Sequence, residues 1–196
     1  VGYWKLDGTA VDSSDNHLDG FGLHAEWSPG VTGLAFHFDG DDAIVVPSAD
    51  VMDLKFTTMM AWVRPDSYVH SDEGVVEYRV IMNKDDAYEF GLSHSDGMLQ
   101  AAFSSCWRWW GSHIVPLHEW SHVAVSYDGA TQHHFLAGQE AESTPCGDGP
   151  LVELVAHPEY DFKIGARGRC GVACGSSCAD TRCGESGTDF LTAKTH

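Results

Sequence analysis

Long apolar runs and sustained helical periodicity are both missing from this chain of 196 residues. No stretch approaches the ~18 consecutive apolar residues of a membrane-spanning helix, so membrane insertion is not expected. No window of about eleven residues keeps an apolar stripe at helical spacing either, so the sequence predicts no substantial helix. These two absences leave the β-strand as the unit from which a fold must be built.

Positive charge is also scarce, with 11 Lys and Arg residues against 29 Asp and Glu residues and a net charge of −18. Such a chain repels a phosphate backbone, which proteins bind by neutralising it with cations. The sequence therefore predicts no nucleic-acid partner. The acidity is first explained by solubility or by adaptation to a salty medium, and it also fits the hard oxygen ligands that calcium requires.

Short alternating segments separated by polar turns fill most of the chain. In residues 120–127, Val123, Val125 and Tyr127 alternate with small residues, and Asp128-Gly129 then favours a chain reversal. We predict an all-β, two-sheet antiparallel jelly-roll sandwich that forms a single domain over residues 1–196. The predicted strands are 2–6, 19–24, 33–39, 42–46, 56–63, 78–83, 87–93, 98–103, 120–127, 132–137 and 161–165.

Four of the six cysteines fall in a glycine-rich insert at residues 168–187, which has too few large apolar residues to hold itself together by burial. The Cys-x3-Cys-x3-Cys-x4-Cys spacing favours disulfides over zinc, since structural zinc sites usually use Cys-x2-Cys pairs. Six cysteines allow fifteen pairings. We interpret Cys106 and Cys146 as partners, because each follows a strand on adjacent parts of the sheet. The remaining four cysteines, all in the insert, would then pair among themselves. The six are Cys106, Cys146, Cys170, Cys174, Cys178 and Cys183. The even count predicts an extracellular or cell-surface location.

Several motifs occur in the order found in one family of sandwiches. They are Tyr3–Asn16, Gly33–Gly40 (Gly-Leu-Ala-Phe-His-Phe-Asp-Gly), Phe56–Pro65 and Trp120–Gly129 (Trp-Ser-His-Val-Ala-Val-Ser-Tyr-Asp-Gly). With their spacing these segments resemble the laminin-G-like, concanavalin-A-like jelly-roll domains, over roughly residues 3 to 166. The resemblance implies a jelly-roll sandwich that binds carbohydrate or mediates adhesion.

The end of the chain departs from that family. Its members close with a Phe-x-Gly-x-Ile-Asp-Glu-Val strand, whereas residues 190–196 read Phe-Leu-Thr-Ala-Lys-Thr-His. We therefore expect the closing strand to be missing after residue 196. An unpaired sheet edge invites association, so the remainder of a longer parent chain or a neighbouring subunit is expected to fill it.

The resemblance also implies a calcium ion near the start of the sandwich. Carried over by position, its ligands are Asp7, Asp39 and the main chain of Gly40, with Asp12, Asp41 and Asp42 as nearby alternatives. The aspartate of the closing strand has no match, so Asp189 or water has to complete the six to eight oxygens that calcium needs. The alternative is that these aspartates only build Asx-type turns.

Tryptophan is concentrated in the segment Cys106-Trp107-Arg108-Trp109-Trp110, which Gly111-Ser112-His113 follows. On an extended chain neighbouring side chains point to opposite faces, so at least one indole should meet solvent. Exposed indoles hold the apolar faces of sugar rings, and Arg108, His113 and Asn83 are the polar residues expected to orient a sugar. Alternatively these indoles cap the sandwich, as we expect of the core residues Trp4, Trp62 and Trp120.

No catalytic motif accompanies these features. The glucanase motif Glu-x-Asp-x-x-Glu and the Arg-x-Glu-x-Arg and Gln-x-His motifs of lyases are absent, as are a Gly-x-Ser-x-Gly elbow and a phosphate loop. We predict a non-catalytic extracellular carbohydrate-binding or adhesion module of a larger protein, with a glycan or a cell-surface protein as its partner. The alternatives are a structural spacer or assembly subunit without a sugar ligand and, third, a degenerate hydrolase.

Overall fold

A computed structural model gives the fold of the chain. It describes residues 1–24, 26–39, 42–68, 79–93, 95–141, 143–146, 152–166 and 189–195, with only the backbone for 107, 108, 110, 112 and 189–195. Gly40, Asp41 and the insert at 168–187 with its four cysteines lie outside these residues. The strands are β1 (Phe21–Leu23), β2 (Glu26–Pro29), β3 (Leu34–Asp39), β4 (Ala43–Val46), β5 (Thr57–Pro65), β6 (Arg79–Lys84), β7 (Tyr88–Leu92), β8 (Met98–Phe103), β9 (Cys106–Ile114), β10 (Ser121–Tyr127), β11 (Thr131–Leu136), β12 (Gln139–Glu140), β13 (Thr144–Pro145), β14 (Phe162–Ile164) and β15 (Asp189–Thr195).

The strands form two antiparallel sheets, which confirms the predicted all-β sandwich. The seven-stranded sheet has the order β1-β4-β14-β6-β7-β8-β9. The eight-stranded sheet has the order β12-β11-β10-β5-β15-β3-β2, with β13 paired to β11. Among the described residues, the only helical element is a single 3-10 turn, Asp50–Met52. These residues contain no helix that is long and apolar enough to cross a membrane.

The expectation that the chain lacks a closing strand is wrong. Strand β15 lies inside the eight-stranded sheet, where Ala193 is in register with Phe36 of β3 and with Val63 of β5. Ladder hydrogen bonds come from the main chain, so a segment can take this place without the family motif. The position between β3 and β5 therefore needs no parent segment or neighbouring subunit to fill it.

The core lies between the two sheets and follows from alternation along each strand. In β5, Met59, Ala61 and Val63 are buried, while the residues between them are half-buried on the outer face. Aromatic rings fill the layer, as in the stack of Phe103 on Tyr127, whose ring centroids lie 4.9 Å apart. Because Phe103 and Tyr127 belong to different sheets, this pair packs one sheet against the other.

Three tryptophans were expected in the core, and the structure places only one there. Trp4 is buried and stacks on Phe162 with ring centroids 5.3 Å apart. Trp62 and Trp120 are half-buried. Trp62 lies between the inward-facing Ala61 and Val63, so the strand period places it on the outer face.

Strand boundaries differ from the prediction mainly in short or irregular segments. Residues 2–6 form no strand but a single bridge between Trp4 and Asp12. Strands β2, β12 and β13 were not predicted. The tryptophan-rich segment was expected only to be extended, and it is strand β9, at the edge of the seven-stranded sheet.

The disulfide predicted between Cys106 and Cys146 is present. Cys106 begins β9 of the seven-stranded sheet, and Cys146 follows β13 of the eight-stranded sheet. The bond therefore ties the edges of the two sheets together across a sequence separation of 40 residues. A disulfide that closes a loop of this size lowers the conformational entropy of the unfolded chain. On that basis it stabilises the folded state by about 4 kcal/mol.

Two glycines with left-handed backbone offer a test of the packing. Gly165, at the end of β14, has φ +81°, and an added Cβ would overlap the ring of Phe38 in the opposite sheet. Gly138 has φ +77° but nothing within 4 Å of an added Cβ. Gly138→Ala should lower the free energy of unfolding by about 1 kcal/mol, from backbone strain alone. Gly165→Ala should lower it by about 3 kcal/mol or more, because overpacking adds to the strain. Denaturant unfolding checks both values, and equal losses would contradict the close approach of the sheets at Phe38.

Candidate ligand-binding site

A row of polar residues crosses the outer face of the seven-stranded sheet. Lys163, Asn83 and Glu89 are in cross-strand register on β14, β6 and β7, and Ala102 of β8 continues the line. We call Lys163, Asn83 and Glu89 the polar row. Their neighbours along the strands, among them Phe162, Met82 and Phe90, belong to the core between the sheets. By alternation the polar row therefore faces away from that core.

The polar row is buried although it lies outside the main core. Asn83 and Glu89 are 0% exposed and Lys163 is 3% exposed. The amide Nδ2 of Asn83 donates a hydrogen bond to Glu89 Oε2 at 2.8 Å, which fixes both side chains. The Oδ1 atom of Asn83 has no hydrogen-bond partner in the described structure. A buried acceptor left unpaired costs about 1–3 kcal/mol, so a donor brought by a ligand would be stabilised there.

Strand β9 completes this face at the edge of the sheet. Trp110 is in register with the core residue Ala101, so alternation places the preceding Trp109 on the outer face, beside Ala102. The register shifts between Ala101 and Phe103, because β9 carries extra residues there. Trp109 is half-buried and lies three strands from Asn83, about 14 Å along the sheet. The face therefore combines an aromatic edge with a fixed polar floor.

Only part of the predicted ligand-binding set shares this face. Asn83 and Trp109 lie on it, at opposite ends of the line of residues. His113 turns toward the other sheet, where its Nε2 lies 3.2 Å from the main-chain oxygen of Gln139 in β12. The side chains of Trp107, Arg108 and Trp110 lie outside the described residues.

Glu89 and Lys163 belong to the candidate site and were not predicted from the sequence. The signal was present in Tyr88-Glu89-Phe90 and in Phe162-Lys163-Ile164, where a charged residue stands between two apolar residues of a short strand. All three residues of each segment are buried, so these strands are covered on both faces. A charged residue at the centre of such a strand indicates a polar function on the second face.

Three histidines meet where β9 approaches β11. His134 is buried and His133, the next residue, faces outward, where its Nδ1 lies 2.6 Å from Glu140 Oε1. The two side chains therefore lie on opposite faces of the strand. Burial lowers the pKa of His134 to about 4. A hydrogen bond with the Leu99 main chain opposes this shift, and the nearby charges of His113 and His133 reinforce it.

The residues expected to bind calcium are divided among separate places. Asp7 Oδ1 accepts a hydrogen bond from the Leu34 amide at 2.7 Å, at the start of β3. Asp39 ends β3, and its amide donates to Asp42 Oδ2 at 2.7 Å. Five residue steps separate the ends of β3, a distance of about 17 Å. Asp7 and Asp39 therefore cannot coordinate the same ion.

Asp12 organises a turn. Its carboxylate accepts hydrogen bonds from the amides of Tyr3, Ser14 and Leu18 and from the Ser14 hydroxyl. Burial opposes its ionisation, but these hydrogen bonds together hold the pKa of Asp12 below its usual value. The carboxylate is therefore committed to the loop between Tyr3 and Leu18, as the Asx-turn interpretation predicts.

What remains of the expected calcium set is the turn after β3. Asp39 and Asp42 are adjacent there, and the backbone of Asp189 in β15 is in register with Asp39. Within the part of the chain that the structure describes, no three His, Cys, Asp or Glu side chains are grouped closely enough to hold a metal. Of the expected calcium ligands whose side chains are described, only Asp39 and Asp42 lie together.

Comparisons with known proteins agree with this architecture. The family described as the concanavalin A-like lectin/glucanases superfamily matches residues 38–169. A comparison with curated proteins found no match.

Solved structures with the same fold include domain 4 of AbnA, an extracellular arabinanase from Geobacillus stearothermophilus, in complex with arabinotriose (TM-score 0.60, 18% identity, 99% of this chain and 91% of that chain). The ligand-binding domain of botulinum neurotoxin serotype D in complex with N-acetylneuraminic acid is also similar (TM-score 0.61, 11% identity, 100% of this chain and 45% of that chain). So is Trypanosoma rangeli sialidase with the inhibitor DANA (TM-score 0.60, 13% identity, 100% of this chain and 29% of that chain). At these identities the likeness concerns the fold, and the chain spans less than half of the toxin and sialidase chains.

The buried His134 predicts a loss of stability in mild acid. Its folded pKa lies below its ordinary value of 6.5, so the unfolded chain binds the proton more tightly. The stabilisation is complete above pH 6.5 and is lost as the pH falls toward 4, by about 3 kcal/mol in all. Unfolding by urea from pH 7 to 4 should show this loss, and His134→Gln should reduce it. Exposed His118→Gln serves as the control, and a His134→Gln profile identical to that of the unsubstituted protein would contradict the assignment.

Proposed function

Because the chain belongs to the concanavalin A-like lectin/glucanase superfamily, we propose that it is a carbohydrate-binding module of a larger extracellular protein. The ligand lies against the outer face of the seven-stranded sheet, with Trp109 at the edge and the polar row behind it. The module binds its glycan without cleaving it.

The observation that carries this proposal is the placement of Asn83 and Trp109 on one face of one sheet. A sugar offers hydroxyls along its rim and an apolar C–H surface on its ring face. An indole packs against the ring face, and fixed amide and carboxylate groups bond the hydroxyls. The hydrogen bond of 2.8 Å from Asn83 Nδ2 to Glu89 Oε2 already fixes both side chains. Asn83 Oδ1 has no hydrogen-bond partner among the described residues, so it can accept a hydrogen bond from a sugar hydroxyl.

The burial of the polar row divides the roles of these residues. Trp109 is half-buried, so it makes the first contact with a glycan at the β9 edge. Asn83 and Glu89 are 0% exposed, and they meet only a group that reaches into the face. Trp109 therefore supplies most of the apolar contact area, and the polar row selects the arrangement of hydroxyls.

The carboxylates support binding rather than hydrolysis. Cleavage of a glycosidic bond usually needs two carboxylates about 5 to 9.5 Å apart on either side of the bond. Glu89 is the one carboxylate among the described residues in register along this row, and it bonds to Asn83. The similar arabinanase domain and toxin domain were solved in complex with arabinotriose and N-acetylneuraminic acid, which supports a saccharide as the ligand class.

An extracellular location is part of the proposal. The bond between Cys106 and Cys146 persists in an oxidising compartment and is rare in the cytosol. The arabinanase with the same fold is described as extracellular. Both observations support secretion or surface display of the protein that carries this module.

Calcium is a second, separable part of the proposal, restricted to the turn after β3. Asp39 and Asp42 would contribute carboxylate oxygens there, and the net charge of −18 favours a bound cation. Asp7 and Asp12 take no part, because they serve the start of β3 and the Tyr3–Leu18 loop. A bound ion would fix the connection between β3 and β4.

Removal of the Trp109 indole tests the glycan proposal. Trp109→Ala should weaken binding to any glycan retained on an array by about tenfold or more, because the stacking surface is lost. Trp62→Ala is the matched control, since it removes a half-buried indole from the outer face of the other sheet. The affinity of both variants is measured by titration calorimetry with the retained glycan. If Trp62→Ala lost binding and Trp109→Ala did not, the site would lie on the eight-stranded sheet, which contradicts the proposal. If the array retained no glycan, the carbohydrate proposal would be refuted.

Chelation tests the calcium part independently. Excess chelator should lower the melting temperature by several degrees, because a ligand that binds only the folded state stabilises it by about 2.7 kcal/mol at a concentration of 100 times Kd. Asp42→Asn should melt at the same temperature with and without chelator. An unmoved melting curve of the unsubstituted protein would remove calcium from the proposal and leave the glycan site untouched.

A further inference from the structure

A cavity of about 380 Å³ lies between the two sheets, away from the polar row. Four of the five methionines of the chain line it, namely Met52, Met59, Met60 and Met82. Trp4 and Phe162 form part of the same wall. Methionine adapts to irregular apolar shapes and makes favourable contacts with aromatic rings, so this lining suits an apolar guest.

The cavity runs from solvent into the core. Its lining includes Val1 and Phe56, which are 54% and 43% exposed, and also Met82 and Tyr88, which are buried. The exposed residues mark a mouth and the buried residues mark an inner end. A molecule can therefore enter without separation of the two sheets.

The chemistry of the lining restricts what can bind. No charged side chain contributes to it, so a charged guest that reaches the buried end at Met82 and Tyr88 would lose its hydration without gaining a counter-ion. The hydroxyl of Tyr88 already donates to the Met52 carbonyl oxygen at 3.0 Å, and burial, with the charge of Asp53, raises its pKa. Thr57 and Thr58 supply the only other side-chain hydroxyls of the lining, which suit one polar group on a guest.

The volume of the cavity limits the size of the molecule that can bind. A cavity of about 150 Å³ lined by apolar residues holds one benzene ring. The present volume therefore accommodates roughly two such rings, and it falls within the ~300–1,000 Å³ range of small-molecule sites. We propose that this cavity is a binding site for a neutral, mainly apolar molecule about the size of two fused rings, carrying at most one hydroxyl.

This site is distinct from the proposed glycan face. The cavity lies on the inner side of the seven-stranded sheet, whereas the polar row lies on the outer side. In β6, Met82 faces the cavity and the next residue, Asn83, belongs to the polar row. Binding of an apolar molecule therefore neither requires nor excludes a glycan.

The methionine methyl groups offer a direct test with an internal control. In protein labelled with carbon-13 at the methionine methyls, titration with 2-naphthol should shift the signals of Met52, Met59 and Met82, the lining methionines that belong to the core. The shifts should saturate with a Kd below about 1 mM. The signal of Met98, on β8 and outside the lining, should not move. Unsaturated shifts, or an equal shift at Met98, would overturn the proposal.

Two further comparisons separate specific binding from general hydrophobic association. Naphthalene-2-sulfonate has the same ring system but carries a charge. Its affinity should be lower than that of 2-naphthol by about tenfold or more. Leu54→Trp adds volume to the lining and should weaken 2-naphthol binding about tenfold, whereas Val152→Trp, an exposed position outside the lining, should not. Equal binding of the two probes, or unchanged binding by folded Leu54→Trp, would contradict the site. The titration of the unsubstituted protein decides the matter if Leu54→Trp does not fold.

Discussion

The alternation of side chains along each strand is the constraint on which the other features of this structure depend. Once Phe162, Met82 and Phe90 point into the layer between the sheets, Lys163, Asn83 and Glu89 must point out of it. The same rule places Trp109 outward, next to a Trp110 that is in register with a core residue. The polar row is thus set by the packing of the core, which also holds it rigid.

Two features on opposite sides of one sheet follow from this arrangement. The inner side contributes Met82, Tyr88 and Phe162 to the apolar cavity, and the outer side contributes Asn83 and Glu89 to the proposed glycan face. The bond between Cys106 and Cys146 ties the β9 edge, which carries Trp109, to the other sheet. A cross-link at this edge restrains the segment that a glycan would meet first.

Much of the fold could be predicted from the sequence, because alternation and turn residues are local signals. Residues 98–103 were predicted as a strand and form β8, and the hairpin around Asp128-Gly129 joins β10 to β11. The segment Glu26-Trp27-Ser28-Pro29 was missed because it lacks a β-branched or alternating apolar pattern. The strand β15 was missed because a strand inside a sheet needs backbone partners rather than a family motif.

The site was harder to predict, because it depends on which face a residue occupies and how far apart two residues lie. Alternation shows that Trp62 and Ala61 face opposite ways, but it does not show which of them faces the core. Asp7 and Asp39 both flank or end β3, and only the length of that strand shows that they cannot share an ion. Asn83 was predicted from the sequence as a ligand-binding residue, but its hydrogen-bond partner Glu89 is set by cross-strand register, which a single sequence does not reveal.

The outer face of the seven-stranded sheet is the proposed binding surface for the glycan. The most direct measurement is a crystal structure of the protein with a glycan that it retains. We expect a sugar ring packed against Trp109 and a hydroxyl within about 2.7–3.2 Å of Asn83 Oδ1. A glycan bound on the eight-stranded sheet, with the face of Asn83 and Trp109 unchanged, would contradict it.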